Sequence, residues 1–137
     1  MDGLHYIETL HRASQIGTKI FADLIGTEHD ITPRQAQVLA VVWVGESDGR
    51  KMSQTDIVDV TKIDRSTLAD VVKRLTKKGL LARRRRKEDA RAYSVTLTPE
   101  GKAIAAKVAK ASAKIAEAIH TQVPNIERLK IVNGSGA

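Results

Sequence analysis

The side chains best suited to binding chemistry form one strongly basic block between Lys62 and Arg91. This block contains twelve Lys and Arg residues against four Asp and Glu residues, a net charge of +8. The rest of the chain holds eleven basic and twelve acidic residues, a net charge of −1. The whole positive excess of the +7 chain is therefore local. Such an excess predicts an anionic partner, either nucleic acid or an anionic membrane surface.

The elements that must position this block read as two short helices and a hairpin. Ser53 and Asp56 form a capping box that starts one helix, which ends near Thr61. Asp64 caps the next helix, and two helices separated by about three residues predict a helix-turn-helix. Gly79 ends this second helix. A strand opening at Leu80-Leu81, a charged turn over RRRRKEDAR and a returning strand over residues 93–97 then predict a β-hairpin, the wing.

The second helix of this pair offers side chains that suit base edges in a DNA major groove. Arg65 can pair with guanine, and Ser66 and Thr67 suit bases or phosphates. Asp70 is unusual on such a surface, and it can accept from cytosine N4 or orient Arg74 or Lys73. The residues that we expect to contact DNA from this helix are Arg65, Ser66, Thr67, Asp70, Lys73 and Arg74. A solvated polar face on an ordinary packed helix is the alternative interpretation.

The hairpin adds a second group of candidate DNA contacts. Alternate residues of a hairpin point to opposite faces, so only some can reach one ligand; we expect phosphate contacts and a tip residue in the minor groove. Basic hairpins also discourage edge-to-edge sheet pairing. Five consecutive cations from Arg83 to Lys87 repel one another, so that use alone does not explain them. The expected wing contacts are Arg84, Arg85, Arg86, Lys87, Asp89 and Arg91.

The flanking segments predict further helices and a mostly helical, winged-helix fold. Leu4–Ile25 has helical apolar spacing, with Gly26 as its C-terminal cap. Thr32-Pro33 starts a buried helix, and Thr98-Pro99 starts one of about 36 Å that runs to Gln122. Its apolar stripe needs a partner, either a second copy or the first helix of the same chain. We therefore expect one domain over residues 1–137, with dimerisation helices at 1–30 and 99–132 and a winged lobe at 32–98. Residues 125–132 read as a last helical turn or two and 133–137 as a disordered tail.

Other classes of protein are disfavoured by what the sequence lacks. There is no cysteine, and the four histidines show no HExxH spacing. No nucleophile motif or glycine-rich phosphate loop is present, so we expect no enzyme, no metal and no cofactor. The N-terminus lacks the pattern of a secretory signal, and the longest apolar run, Val38–Gly45, is far below the roughly 20 residues of a membrane helix. We expect a cytoplasmic protein that does not enter membranes.

In combination, several motifs resemble the MarR (multiple antibiotic resistance regulator) family of winged-helix transcription factors. The matching motifs are Thr32-Pro33-x-Gln35-x-x-Val38-Leu39, Ile63-Asp64-Arg65-Ser66-Thr67-Leu68, Arg74-Leu75-x-x-x-Gly79-Leu80-Leu81-x-Arg83, Asp89-x-Arg91 and Leu97-Thr98-x-x-Gly101. The resemblance implies a homodimer that reads an inverted repeat in double-stranded DNA, with Arg91 in the minor groove and Asp89 positioning the wing. The segment after Pro124 is shorter than the final helix of such proteins, so the dimer interface leans on the first helix and the long alanine-rich helix.

The same resemblance implies an effector, because small phenolic or other lipophilic ligands often relieve repression in such proteins. His11, Ile16 and Trp43 are our candidates for lining its site. The predicted function is sequence-specific regulation of transcription, as a repressor. The alternative is a non-specific architectural DNA- or RNA-binding protein, whose basic block would bind the backbone without sequence preference.

Overall fold

The computed structural model describes residues 3–85 and 93–127, and it divides the chain into two compact units. We call residues 31–109 the central unit, and residues 1–30 with 110–137 the terminal unit. The elements are α1 Gly3–Phe21, α2 Thr27–His29, α3 Pro33–Ser47, α4 Gln54–Thr61, α5 Arg65–Lys77, β1 Leu81–Arg85, β2 Tyr93–Leu97 and α6 Pro99–Gln122. The predicted mostly helical class with a winged helix-turn-helix is confirmed.

Capping boxes start two of the central helices, and one of them is the predicted box of Ser53 and Asp56. Thr32 accepts a hydrogen bond from the Gln35 N–H at 3.1 Å, and Gln35 Oε1 accepts from the Thr32 N–H at 3.2 Å. Ser53 and Asp56 make the same reciprocal pair at 3.0 and 2.9 Å. Each box satisfies two backbone donors that the helix itself leaves free. The first residues of α3 and α4 are therefore set by local chemistry.

The turn between α4 and α5 positions the second helix of the helix-turn-helix. Lys62 has a left-handed backbone with φ 61°, and it ends α4. Asp64 caps α5 two residues later. The α5 stripe, which comprises Leu68, Val71, Val72 and Leu75, is at most 7% exposed. Burial of this stripe in the central core fixes which face of α5 points outward.

The wing is an antiparallel pair of strands whose register runs from Leu81↔Leu97 to Arg85↔Tyr93. Met52 joins the sheet through an isolated bridge to Val95, whose N–H donates to the Met52 carbonyl at 2.6 Å. The sequence placed the charged turn from Arg83 onward, and that boundary was wrong, because β1 continues to Arg85. Pairing with β2 extends the strand despite the repulsion between neighbouring arginines.

In the terminal unit, α1 does not end at Gly26 as predicted. Residues 22–26 form a π-helical turn, the chain stays helical through His29, and Gly26 has a right-handed φ of −59°. Asp30 ends the helix with a left-handed φ of 54°, a conformation that aspartate tolerates better than most residues. Residues 27–29, which the prediction placed beyond the end of the first helix, are thus helical. Gly17 of α1 faces Ile115 and Ile119 of α6 within van der Waals distance.

The chain turns after α6. Residues 124–127 are turns, and Asn125 has a left-handed φ of 69°, so the described part of the predicted last helix is not helical. Asparagine adopts this conformation readily, and its φ is incompatible with continuing a right-handed helix. Residues 128–137, with the predicted disordered tail, lie outside the described residues.

Candidate nucleic-acid interface

The outward face of α5 presents a row of charged and hydroxyl side chains. Because the α5 stripe is buried, the residues on the opposite side of the helix are exposed. On that side lie Ser66, Asp70, Lys73 and Lys77, with Arg74 at its edge. Arg65, the first residue of the helix, is exposed as well. Thr67 lies at the edge of this face and is half-buried. All six predicted contacts of this helix are therefore at least partly exposed, and all but Arg65 lie on this face or at its edge, together with Lys77.

Asp64 organises the beginning of this face through three hydrogen bonds. Its Oδ1 accepts from the Thr67 N–H at 2.8 Å and from the Ser66 hydroxyl at 2.9 Å, and its Oδ2 accepts from the Thr67 hydroxyl at 2.8 Å. Both hydroxyl protons are thus directed at Asp64, which leaves Ser66 and Thr67 with lone pairs for a ligand. Phosphate oxygens only accept, so in this arrangement these hydroxyls suit base amino groups rather than phosphates.

The bonds to Asp64 also shift its ionisation. The Thr67 N–H lowers the pKa of the Asp64 carboxyl most, followed by the Thr67 and Ser66 hydroxyls, and together they bring the pKa from 3.8 to about 2. A pKa lower in the folded than in the unfolded chain stabilises the fold above the unfolded value. This stabilisation is lost as the pH falls from about 4 to about 2.

Asp64→Ala is expected to lower the thermal unfolding midpoint, because it removes the cap of α5. The gap between the wild-type and variant midpoints is expected to be constant above pH 5 and to shrink as the pH falls through the range from 4 to 2. Circular dichroism melts across this range measure it. Asp64→Asn, which keeps one acceptor without the charge, should fall between the two. A gap that widens on acidification would contradict the proposed role of the carboxylate.

Asp70 forms an ion pair along α5. Its Oδ2 accepts from Arg74 Nε at 2.9 Å, and both side chains are more than half exposed. The sequence left open whether Asp70 accepts from a cytosine or orients Arg74 or Lys73. The structure shows the contact with Arg74. The arginine is therefore held beside a carboxylate on the surface where DNA contacts were predicted.

The arginines of β1 continue the basic surface into the wing. Arg83 donates to Gln54 Oε1 at 2.8 Å, which links β1 to the first residue of α4. Arg85 donates to the Tyr93 hydroxyl at 2.9 Å, with its guanidinium carbon 5.5 Å from the ring centre. This hydrogen bond raises the pKa of Arg85 above its usual value. Arg84 is exposed on the alternate face of the strand, so the three arginines do not share one direction.

An open cleft of about 620 Å³ joins the helix to the wing. Its lining residues are Ala69, Asp70, Lys73, Thr76, Lys77 and Arg83. Lys77 and Arg83 were not among the predicted contacts. The sequence did contain a signal for Lys77, because it follows Lys73 by four residues and so lies on the same helix face. Arg83 could be placed at the cleft only once the register of β1 was known. The helix and strand thus form one surface with at least three cations around the cleft.

The remaining predicted site residues fall in three places. Arg86, Lys87, Asp89 and Arg91 lie outside the described residues. His11 and Ile16 are on α1 in the terminal unit, exposed and half-buried respectively, and Trp43 is half-buried on α3 in the central unit.

Within residues 3–85 and 93–127, no three His, Asp or Glu side chains gather as metal ligands would. Among the described helices, none has the length and apolar content needed to cross a membrane.

A helix-turn-helix followed by a two-stranded wing, with exposed cations on both, defines a winged-helix DNA-binding protein. The sequence model of the MarR family matches residues 29–92. BpsR of Bordetella bronchiseptica, solved in a study of how 6-hydroxynicotinic acid regulates its DNA binding, is 32% identical with a TM-score of 0.65, over 90% of this chain and 89% of that one. The chain belongs to the MarR family of transcriptional regulators.

Two further relatives agree with this assignment. A Thauera aromatica protein assigned as the transcriptional regulatory protein for the hcr operon is 27% identical over 87% of this chain and 69% of its own length. Wild-type MarR of E. coli, at 20% identity and a TM-score of 0.66 over 90% of this chain and 88% of that one, shares the fold. The family consists of transcriptional regulators rather than enzymes.

Proposed function

We propose that this protein is a cytoplasmic, homodimeric repressor that reads an inverted repeat in double-stranded DNA and is released by a small-molecule effector. The observation that carries the proposal is the continuous basic surface of α5 and β1. Its helix presents Arg65, Lys73, Arg74 and Lys77. The strand adds Arg83, which lines the same cleft as Lys73 and Lys77. A DNA groove flanked by the phosphate backbone is the partner that such a surface fits.

The two parts of this surface have different tasks in the proposal. The N-terminal part of α5 enters the major groove, where Arg65 pairs with guanine O6 and N7. Ser66 and Thr67, with their protons on Asp64, accept from base amino groups. Arg83 of β1, which shares the cleft with α5, contacts a phosphate and holds the helix in register. The minor-groove role of Arg91 and the positioning role of Asp89 come from the sequence alone.

An exposed apolar stripe on α1 supports the dimer. Leu4, Ile7 and Leu10 recur every third residue, and their exposed fractions are 77%, 68% and 61%. Three large apolar side chains exposed on one helical face are uncommon on a monomer. A second copy of the chain covers them in the proposal and sets two winged lobes about one DNA turn apart, so that each reads a half-site.

The effector part rests on relatives and on three candidate residues. The DNA binding of BpsR is regulated by 6-hydroxynicotinic acid, which supports a small aromatic effector here. We keep His11, Ile16 and Trp43 as its proposed contacts. Hydroxylated aromatic acids are the compounds to test, by release of the protein from its operator.

In vitro selection from a random duplex library tests the proposal. Selection is expected to recover an inverted repeat whose half-site centres are about 10 base pairs apart, one helical turn. Recovery of no consensus would instead favour the non-specific architectural protein. A consensus without two-fold symmetry would remove the dimeric reading while leaving specificity intact.

A further inference from the structure

Asp70 is the one acidic residue of α5, all of whose residues the structure describes. The other exposed charged residues of that helix, Arg65, Lys73, Arg74 and Lys77, are cations. Lys73, Lys77 and Arg83 also line the cleft beside Asp70. An exposed carboxylate here weakens the attraction of the surface for phosphates, so backbone binding alone does not explain its presence.

Stability does not explain the carboxylate either. Its partner is Arg74, four residues on, with Nε 2.9 Å from Oδ2. The two side chains are 57% and 66% exposed, and an exposed pair at this spacing contributes little to folding. The pair nevertheless occupies the Nε–H of Arg74, so Arg74 is partly neutralised before DNA arrives. Because folding stability does not explain why a carboxylate stands on this surface, a contribution to selective DNA binding is the better explanation.

The chemistry of a carboxylate restricts which bases it can face. Ionised aspartate only accepts hydrogen bonds. In the major groove, cytosine N4 and adenine N6 donate, whereas guanine N7 and O6 and thymine O4 accept. A base that only accepts would face Asp70 with mutual repulsion. Asp70 therefore discriminates by attraction to one set of bases and by repulsion from the other.

We infer that Asp70 is the specificity-determining residue of this surface. On random DNA it occupies the Nε–H of Arg74 and offsets part of its charge, and on the operator it accepts a hydrogen bond from a cytosine or adenine amino group. The inference rests on the proposed function and adds to it the residue that separates operator from non-operator DNA. In this scheme a base that replaces Arg74 on Asp70 releases the Nε–H of Arg74 for a phosphate.

Asp70→Asn tests the inference on two duplexes, the tightest one recovered by in vitro selection and a shuffled duplex of the same composition. The variant is expected to bind the shuffled duplex about tenfold more tightly, because Arg74 gains roughly one phosphate contact. The slope of log affinity against log salt on that duplex should steepen by about 0.9. The ratio of the two affinities should fall by about tenfold or more. Asp48→Asn, which removes the charge from another exposed aspartate beside an arginine, is the matched control and should leave the ratio unchanged.

Arg74→Ala separates the two parts of the inference. In that background, Asp70→Asn should no longer steepen the salt slope, but it should still admit guanine or thymine at one operator position in a repeated selection. Suppose that the wild-type ratio of the two affinities is well above one and that Asp70→Asn changes it by less than twofold. This result would overturn the inference about Asp70 but leave the proposed function standing. A wild-type ratio near one would overturn the proposed function itself.

Discussion

Leu10→Glu is expected to give a monomer that has lost operator binding. Leu10 belongs to the exposed apolar stripe of α1 with Leu4 and Ile7. A glutamate in an apolar interface must be desolvated without a partner, which opposes association. A monomer keeps one half-site, and specific affinities of 10⁻⁸ to 10⁻¹¹ M imply a loss of at least about a hundredfold. Light scattering after size exclusion and fluorescence anisotropy on the selected duplex measure the two effects.

Gln15→Glu is the control for this prediction. Gln15 is exposed on the same helix and does not belong to the stripe, so the same kind of charge should leave the dimer intact. Both variants should keep the helical circular dichroism of the wild type, because Leu10 is 61% exposed and Gln15 is exposed as well. A Leu10→Glu protein that stays dimeric and binds the operator normally would remove the α1 stripe from the interface.

Gly101→Ala is expected to destabilise the central unit by about 3 kcal/mol or more. A Cβ at this position would lie 2.0 Å from the Leu80 carbonyl oxygen and 3.0 Å from its carbon. That carbonyl cannot move freely, since it accepts from the Thr98 N–H at 3.1 Å. Alanine normally stabilises a helix relative to glycine, so the steric clash reverses the usual sign. Urea unfolding followed by circular dichroism measures the change.

Ala103→Gly provides the opposite substitution two residues further along α6. Ala103 is exposed, so the variant is expected to lose only about 0.5–1 kcal/mol through helix propensity. A Gly101→Ala protein as stable as wild type would mean that the backbones of α6 and Leu80 separate at little cost. The close approach between them would then not be a constraint on the fold.

The sequence predicted the helix beginnings of the central unit well because caps are local. Thr32, Ser53 and Asp64 each bond to a residue three positions on, so spacing alone contains the signal. The end of α1 was wrong because Gly26 does not have to be left-handed. Whether a helix stops at a glycine or passes through it depends on the burial of its neighbours, and Ile25 is buried.

The sequence predicted which face of α5 points outward at the candidate site, but it did not predict the contacts between the side chains there. The buried α5 stripe assigns the outward face from periodicity. The bonds of Asp64 to two hydroxyls, of Asp70 to Arg74 and of Arg83 to Gln54 depend on side-chain rotamers or on residues far apart in the chain. The length of β1 likewise depends on its pairing with β2, which no local pattern of arginines reveals.

The central claim is that this basic surface recognises sequence rather than charge alone. The most direct test is the ratio of wild-type affinities for the selected duplex and for its shuffled counterpart, measured by fluorescence anisotropy at the same salt concentration. We expect a ratio of at least about 10³ that persists as salt is raised, while both affinities fall. A ratio near one at every salt concentration would contradict it.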